Sequence, residues 1–544
     1  MRPSRRGWWS ACLAASLAAA AAALPARAQV LLYEDARRDL DLAPDPIARS
    51  PRLLGMGRLA YVLPDAGTRV NLWDFAGNPA GVLAADSISE AALRPGAWST
   101  SSSRDGLGLG RGLEVQDFAG RENLVGYEVW RRVPGKVAVG AIGGLGALRY
   151  DRPFDAQLEK RTSFSQPDAI VILNARLPFL APDRMTYAIR GRFAAESVSD
   201  EYRRTVANAS GIYVDREGVL VDPPDFFTVD DLSLEREGVG LHVSYRAGRA
   251  LTAAFGGDWY RDKIEAENQG DRYLSSTEET RPYTLGQVSL GGRLGRDFEW
   301  AADGRAWSSS SDVKYVFTLS SGVGGVPVTG RGDLYDREEE GRSARARVRW
   351  TLGNWELGAG ASSWYRKHEV TPPPVTDLSS FNRFLYSIYD IARTDSVHLP
   401  DSVRANTLER TVWEAGGGIG WRPSPKGALG AEFHVRMDER EQALAGEGPN
   451  RVGWDARVGF EWLLTPVLTG RTGYQYRSDD RDDLSEQNEY LSHVVTGGFG
   501  LRPAGSRWSL DAGYAFEWGQ ADYGSPARPR FTRQQLGTQL RWVF

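Results

Sequence analysis

The chain ends on Leu536-Gly537-Thr538-Gln539-Leu540-Arg541-Trp542-Val543-Phe544. Counted in twos from the end, Phe544, Trp542, Leu540, Thr538 and Leu536 share one side. Val543, Arg541, Gln539, Gly537 and Gln535 share the other. A side-chain period of two with one apolar face is the signature of a β-strand. A soluble sandwich can end on such a strand, so the stretches upstream must decide what the apolar face meets.

Those stretches repeat the pattern at greater length. Segment 508–518 sets Trp508, Leu510, Ala512, Tyr514, Phe516 and Trp518 against Ser509, Asp511, Gly513, Ala515 and Glu517. Segment 454–464 sets Trp454, Ala456, Val458, Phe460, Trp462 and Leu464 against Asp455, Arg457, Gly459 and Glu461. Segment 355–365 sets Trp355, Leu357, Ala359, Ala361, Ser363 and Tyr365 against Glu356, Gly358, Gly360 and Trp364. In the first and third, aromatic residues bracket the apolar face ten positions apart. Ten residues at about 3.3 Å each, tilted by about 40°, rise about 25 Å, the height of the apolar band of an outer-membrane barrel. Soluble sandwich strands run only about 5–6 residues. The sequence therefore predicts an all-β fold, a transmembrane antiparallel β-barrel of the outer-membrane type.

Turn signals divide the chain into hairpins. Short ones fall at Pro134-Gly135, Ala181-Pro182-Asp183, Ala247-Gly248, Leu294-Gly295-Arg296, Gly353-Asn354, Pro423 to Gly427, Thr465-Pro466 and Pro503-Ala504-Gly505. Longer polar stretches alternate with them at 151–167, 199–235, 265–281, 312–340, 370–407, 441–451, 480–490 and 521–530. Short turns on the periplasmic side and long loops outside are the outer-membrane arrangement. With a first strand near Ala97–Ser103 and a second near Glu122–Arg132, the count is about 16–18 strands, even-numbered as such barrels require, with 18 favoured.

Composition agrees. Glycine is abundant at 61 residues and aromatics make up 11%, which suits bending strands and interfacial belts. Mean hydropathy is −0.41, a value that alternating strands produce by averaging. The net charge of −4 leaves no basic excess for nucleic acid. Arg2, Arg5 and Arg6 precede an apolar run from Gly7 to Leu24, then Pro25 and Ala26-Arg27-Ala28. Residues 1–28 thus read as a secretory signal peptide, with Sec export to the outer membrane of a Gram-negative-type bacterium. Cys12, the only cysteine, lies inside it, so the mature chain has no disulfide and no thiolate chemistry.

The polar face should point into the lumen. It carries Arg190 and Arg192, Glu299, Asp303 and Arg305, the row Arg345, Arg347 and Arg349, then Glu432, His434 and Arg436, and Asp455, Arg457 and Glu461. Buried charges must be paired or hydrated. Two readings stand side by side: a salt-bridge lattice bracing the wall, or a charged, water-filled path with the Arg345 to Arg349 row as its most electropositive strip.

Residues 29–92 do not alternate. They contain Leu54-Gly55-Met56-Gly57, an apolar run ending at Asp65, and Asn78-Pro79-Ala80-Gly81. In that order these elements resemble the FadL-like superfamily of outer-membrane barrels, which holds long-chain fatty-acid transporters and relatives from an outer-membrane secretion system. The spacing from Asp65 to Asn78 is longer than the family pattern, with Asn71–Gly77 inserted. The resemblance implies that 29–92 is an N-terminal hatch inside a barrel of residues 93–544. Asn78, Pro79, Ala80 and Gly81 are then gate candidates. Pro79 fixes its own backbone and biases Asn78 away from helix, so a plain turn leading into the wall is an equal reading.

No enzyme chemistry is expected. His242, His368, His398, His434 and His493 lack metal-ligand spacing, and no nucleophile elbow or phosphate loop is present. No cofactor and no metal are therefore expected. The leading expectation is a channel or transporter for passive passage of a small solute. The resemblance points to a hydrophobic or amphipathic one, and the charged face to a polar one. The alternative is a non-transporting scaffold that anchors or shuttles secreted proteins through its outer loops. Expected partners are outer-membrane lipid and lipopolysaccharide, the barrel-assembly machinery through the strand ending at Phe544, the solute, and in the scaffold reading a secreted protein. Nucleic acid is not expected.

Overall fold

The computed structural model describes residues 51–63, 90–104, 114–133, 137–153, 158–176, 184–204, 228–248, 250–269, 273–319, 328–371, 406–442, 446–447, 450–483, 486–522 and 530–543. The signal peptide, the gate candidates Asn78 to Gly81 and Phe544 lie outside them.

A short helix, α1 (Pro51–Gly55), comes first. The strands begin with β1 (Glu90–Arg94), β2 (Gly96–Arg104), β3 (Glu114–Val133), β4 (Val137–Pro153), β5 (Leu158–Ala175) and β6 (Met185–Arg204). Next come β7 (Thr228–Arg246), β8 (Thr252–Gln269), β9 (Tyr273–Leu294), β10 (Phe298–Leu319), β11 (Val328–Leu352), β12 (Trp355–Thr371) and β13 (Asn406–Ser424). The last are β14 (Gly427–Gln442), β15 (Gly446–Glu447), β16 (Asn450–Thr465), β17 (Leu468–Asp483), β18 (Glu486–Leu501), β19 (Trp508–Asp522) and β20 (Arg530–Val543).

All pairings are antiparallel between chain neighbours, with β14 passing to β16 across the two-residue β15. At the seam β20 pairs with β1 and β2, which pair in turn with β3. The succession of pairings therefore returns to its start. Pro95 breaks the first stave into β1 and β2. Among the described residues, with those two taken as one and β15 left out, the twenty strands form eighteen staves.

The two faces divide as the alternation demands. Leu241 is 65% exposed, Leu464 61%, Phe255 54% and Trp413 53%, all on one side of the ring. A continuous surface of this kind far exceeds the few hundred Å² of apolar patch that a soluble monomer tolerates, so it faces lipid. Aromatic residues border it near the short turns. Trp355 and Trp421 are in register and stacked with centroids 5.4 Å apart, and Trp508 opposes Trp542. Trp413 and Trp454 lie eight residues above Trp421 and Trp462 on their own strands, about 20 Å at barrel tilt.

The polar stretches differ from expectation in one respect. Most expected loops are themselves strand: 158–167, 265–269, 273–281, 312–319 and 328–340 all lie in paired ladders. Backbone pairing needs no apolar face, so hairpins continue above the bilayer wherever both faces are polar. Of the expected loops 370–407 and 521–530, residues 372–405 and 523–529 lie outside the described residues.

Candidate functional site: a peptide segment on the inner wall

Residues 51–63 lie against the lumen face of β12 to β20, on residues 293 to 477 positions away in the chain. Helix α1 ends at Gly55, and two residues on, Gly57 takes a φ of +72° that only glycine adopts without strain. The chain then turns through Arg58 at φ +61° and later Leu63 at φ +54°. Left-handed conformations at non-glycine residues cost about 1–2 kcal/mol each and persist only where surrounding contacts fix them.

Those contacts come from the wall. A segment outside helix and sheet must find partners for its backbone N–H groups or forfeit their hydration. Glu432 on β14 accepts three of them: Ala60 N donates to Oε2 at 2.8 Å, and Tyr61 N and Val62 N donate to Oε1 at 2.7 and 2.8 Å. Leu63 N donates to Glu356 Oε1 at 2.9 Å. Gly57 N donates to Thr496 Oγ1 at 2.9 Å, and that hydroxyl donates to Gly55 O at 3.0 Å. Arg52 grips Glu461 with two parallel bonds of 2.8 and 2.9 Å, while its third nitrogen donates to Leu63 O at 2.8 Å. One guanidinium thus ties both ends of the segment to β16. Arg471 donates to the same carboxylate at 2.8 Å. Arg457 Nη1 donates to Arg58 O, and Arg58 Nη2 to Gln535 Oε1.

Small residues let the backbones approach. A Cβ on Gly459 would sit 2.1 Å from Met56 O, and one on Gly473 would sit 2.2 Å from Gly57 N. Gly459 and Gly473 are cross-strand partners, and Gly459 also opposes Gly430. The wall therefore offers a glycine track across β14, β16 and β17, and apolar side chains seal it. Met56, Leu59, Val62 and Leu63 form one buried cluster with Ala428, and Leu54 joins Val494 and Ala515 in another.

The residues singled out in the sequence divide into two groups. Glu432, Arg457 and Glu461 bond the segment directly, and His434 stacks on Tyr61 at 5.1 Å while bonding Glu432 Oε2 at 2.9 Å. Asp455 pairs with Arg457, and Arg436 lies 3.6 Å from Glu414 and 3.7 Å from Asp438. Arg190, Arg192, Arg345, Arg347 and Arg349 sit on other strands, β6 and β11. There Arg190 forks onto Asp258, which also bonds His242 Nε2 at 3.1 Å, and Gln287 reaches that ring at 3.0 Å. Arg345 bonds Asp303 at 2.9 and 2.7 Å, and Arg349 bonds Glu299. Higher on this wall Glu279, Arg281, Arg337, Glu339 and Arg366 form one connected network. Much of the inner charge is a bracing lattice. Arg345 still leaves 41% of its side chain open to the lumen.

Sequence reasoning missed Glu356, Thr496 and Gln535, because one more polar residue on an inner face looks like any other. It also read the wall glycines only as bending points. Their recurrence on the inner face, as at Gly358 and Gly360 opposite Gly418 and Gly416, was the available signal. Among the described residues no cluster of three metal-ligating side chains occurs.

An eighteen-stave antiparallel ring, greasy outside and charged within, is a transmembrane β-barrel of the outer-membrane type. No family model and no curated protein matches the chain. Among solved structures it is similar to the Pseudomonas putida toluene transporter TodX, with 11% identity, a TM-score of 0.35, and 91% of this chain and 98% of that chain covered. It is similar to a Pseudomonas aeruginosa FadL homologue at 12% identity and a TM-score of 0.33, covering 91% and 98%. The copper transporter OprC matches at 9% identity and a TM-score of 0.37, covering 85% and 82%. The FadL-like barrels that residues 54–81 resemble are among these neighbours. The fold itself rests on the strand pairings.

Proposed function

We propose that this barrel carries a small solute passively across the outer membrane, and that residues 29–92 form a hatch that narrows its lumen. The observation behind this reading is the bonding of residues 51–63 to the inner wall. A barrel that only anchored other proteins through its outer loops would have no use for a peptide held inside by Glu432, Glu356 and Glu461. The solute is amphipathic in this account. The FadL-like resemblance supplies its apolar character, and the lumen-exposed guanidinium of Arg345 suits a polar or anionic end. Export through Sec and insertion by the barrel-assembly machinery complete the reading. The test is conductance of the purified mature protein in a planar bilayer. Deleting residues 29–89 should raise it several-fold. A lumen still sealed after the deletion would favour the scaffold.

A further inference from the structure

Arg305 stands apart from the bracing lattice. It faces the lumen from β10, partly exposed, between Gln287 on β9 and Ser343 on β11. No hydrogen bond or ion pair joins its guanidinium to any described residue. A cation held on a membrane-spanning wall needs a partner or water. The carboxylates around it are engaged elsewhere. Asp303 is bonded by Arg345, Asp258 by Arg190 and His242, and Glu339 by Arg366 and Arg281. On β13, Glu414 lies 3.6 Å from Arg436. On the inward rungs from Asp303 to Ser309, strands β6 to β12 carry Arg190, Arg192, Arg305, Arg345 and Arg366 against Asp258, Asp303 and Glu339. Five guanidiniums face three carboxylates there, so this patch of the lumen favours an anion.

Directly above Arg305 the wall turns apolar. Trp307 faces inward on the same strand, partly exposed, and pairs with Leu285 and Gly341. A Cβ on Gly341 would lie 2.1 Å from the indole, so the ring leans over that glycine and stays along the wall. Its Nε1 donates to Glu339 Oε1 at 3.3 Å, which fixes its orientation. Trp364, in register with Ser343, brings a second ring to 6.3 Å. Arg410 lies over Trp364, and Arg236 lies over both Tyr260 and Tyr283. Among the described residues no cation lies over Trp307. The apolar ledge is short, because two residues further up Ser309 pairs with Glu339 and the charged network resumes. From Arg305 to Ser309 is about 13 Å along the strand. That holds a ring system with its carboxylate, and is too short for a long acyl chain laid along it.

We propose that this part of the inner wall is a binding subsite for an aromatic carboxylate. Its ring lies on Trp307 and Leu285, where aromatic contact adds to burial. Its carboxylate takes the Arg305 fork, a planar match that a lysine would not give, with the Ser343 hydroxyl beside it. The proposal deepens the solute reading and rests on it: it names the class of solute and gives the anionic end its first contact. Arg345, Arg347 and Arg349 follow below on β11, toward the short turns.

The test is isothermal titration of the folded mature protein in detergent with 2-naphthoate, the uncharged 2-naphthalenemethanol, and octanoate. Naphthoate should bind once per chain, at least tenfold more tightly than either comparison. Arg305→Gln should weaken naphthoate at least tenfold and leave naphthalenemethanol unmoved. Trp307→Leu should weaken both ring compounds and not octanoate. Heat-modifiable gel mobility confirms a folded barrel. Arg305→Lys, which keeps the charge without the fork, replaces Arg305→Gln should that variant fail to fold, and should weaken naphthoate about threefold. Equal naphthoate binding by wild type and the Arg305 variant overturns the proposal. Octanoate bound as tightly as naphthoate, or no naphthoate binding by wild type, also overturns it. Naphthoate flux into liposomes separates this proposal from the passage reading. Selective binding without flux upholds the subsite and removes passage. Flux that Arg305→Gln leaves unchanged, without selective binding, removes the subsite alone.

Discussion

Replacing Glu432 with glutamine should release the segment from the wall. The carboxylate accepts three backbone N–H groups within 2.8 Å. Glutamine keeps one acceptor oxygen. If that oxygen stays at the Oε1 position, Tyr61 N and Val62 N keep bonds to a neutral acceptor, and Ala60 N faces an NH2 group instead. Bonds to a charged group contribute about 1.5–3 kcal/mol and neutral ones about 0.5–1.5. Two weakened bonds and one lost bond then sum to roughly 3–5 kcal/mol. At 1.36 kcal/mol per decade, that is about 10²–10⁴ in the docking equilibrium. The ladder between β13 and β14 does not run through this side chain, so the barrel should stand. Hydrogen exchange read by mass spectrometry provides the assay, with peptides across 57–63 compared with peptides from β13 and β14. Protection of 60–62 should fall by two orders of magnitude or more while the strands stay protected. Unchanged protection at 60–62, or an equal loss throughout β14, would refute the reasoning.

Other outcomes follow from the same geometry. Gly459→Val places a side chain on Met56 O, 2.1 Å from the first added carbon, so it should expel the segment and raise bilayer conductance while leaving heat-modifiable mobility intact. Arg52→Met leaves Glu461 to Arg471; removing one member of a buried pair costs about 3–5 kcal/mol, and Arg52→Met/Glu461→Leu should recover part of it, as exchange of residues 53–58 can show. Arg345→Gln with Arg347→Gln should shift the reversal potential in a salt gradient away from anion preference, and an unmoved potential would remove the strip from the solute path.

The barrel was legible because a period of two survives in strands such as Trp454 to Leu464 and Trp508 to Trp518. Loop lengths were overdrawn for a physical reason: above the bilayer, hydrogen-bonded pairing continues without an apolar face to announce it, as in Glu338 to Asp336 of β11. The lining charges Glu432, Arg457 and Glu461 were identified, but their partners were not. Contacts such as that of Arg52 with Glu461 span 409 positions, and nothing local marks them. The glycine track was written openly in the inner-face positions, yet glycine also marks bends and turns. Only the docked segment shows that Gly459 and Gly473 are small because a backbone lies on them.

Cys12 is the only cysteine in the sequence, so pairs introduced into a Cys12→Ser chain report without background. A Cβ on Gly420 would lie 3.1–3.2 Å from the outer atoms of the Leu63 side chain, which makes Leu63→Cys/Gly420→Cys the most direct probe of the docked segment. Oxidation of the folded, membrane-embedded protein should form the disulfide nearly completely, seen as a shift of the unfolded band that reductant reverses. No crosslink, together with ready labelling of Leu63→Cys by a water-soluble maleimide, would show that residues 51–63 do not rest on the wall.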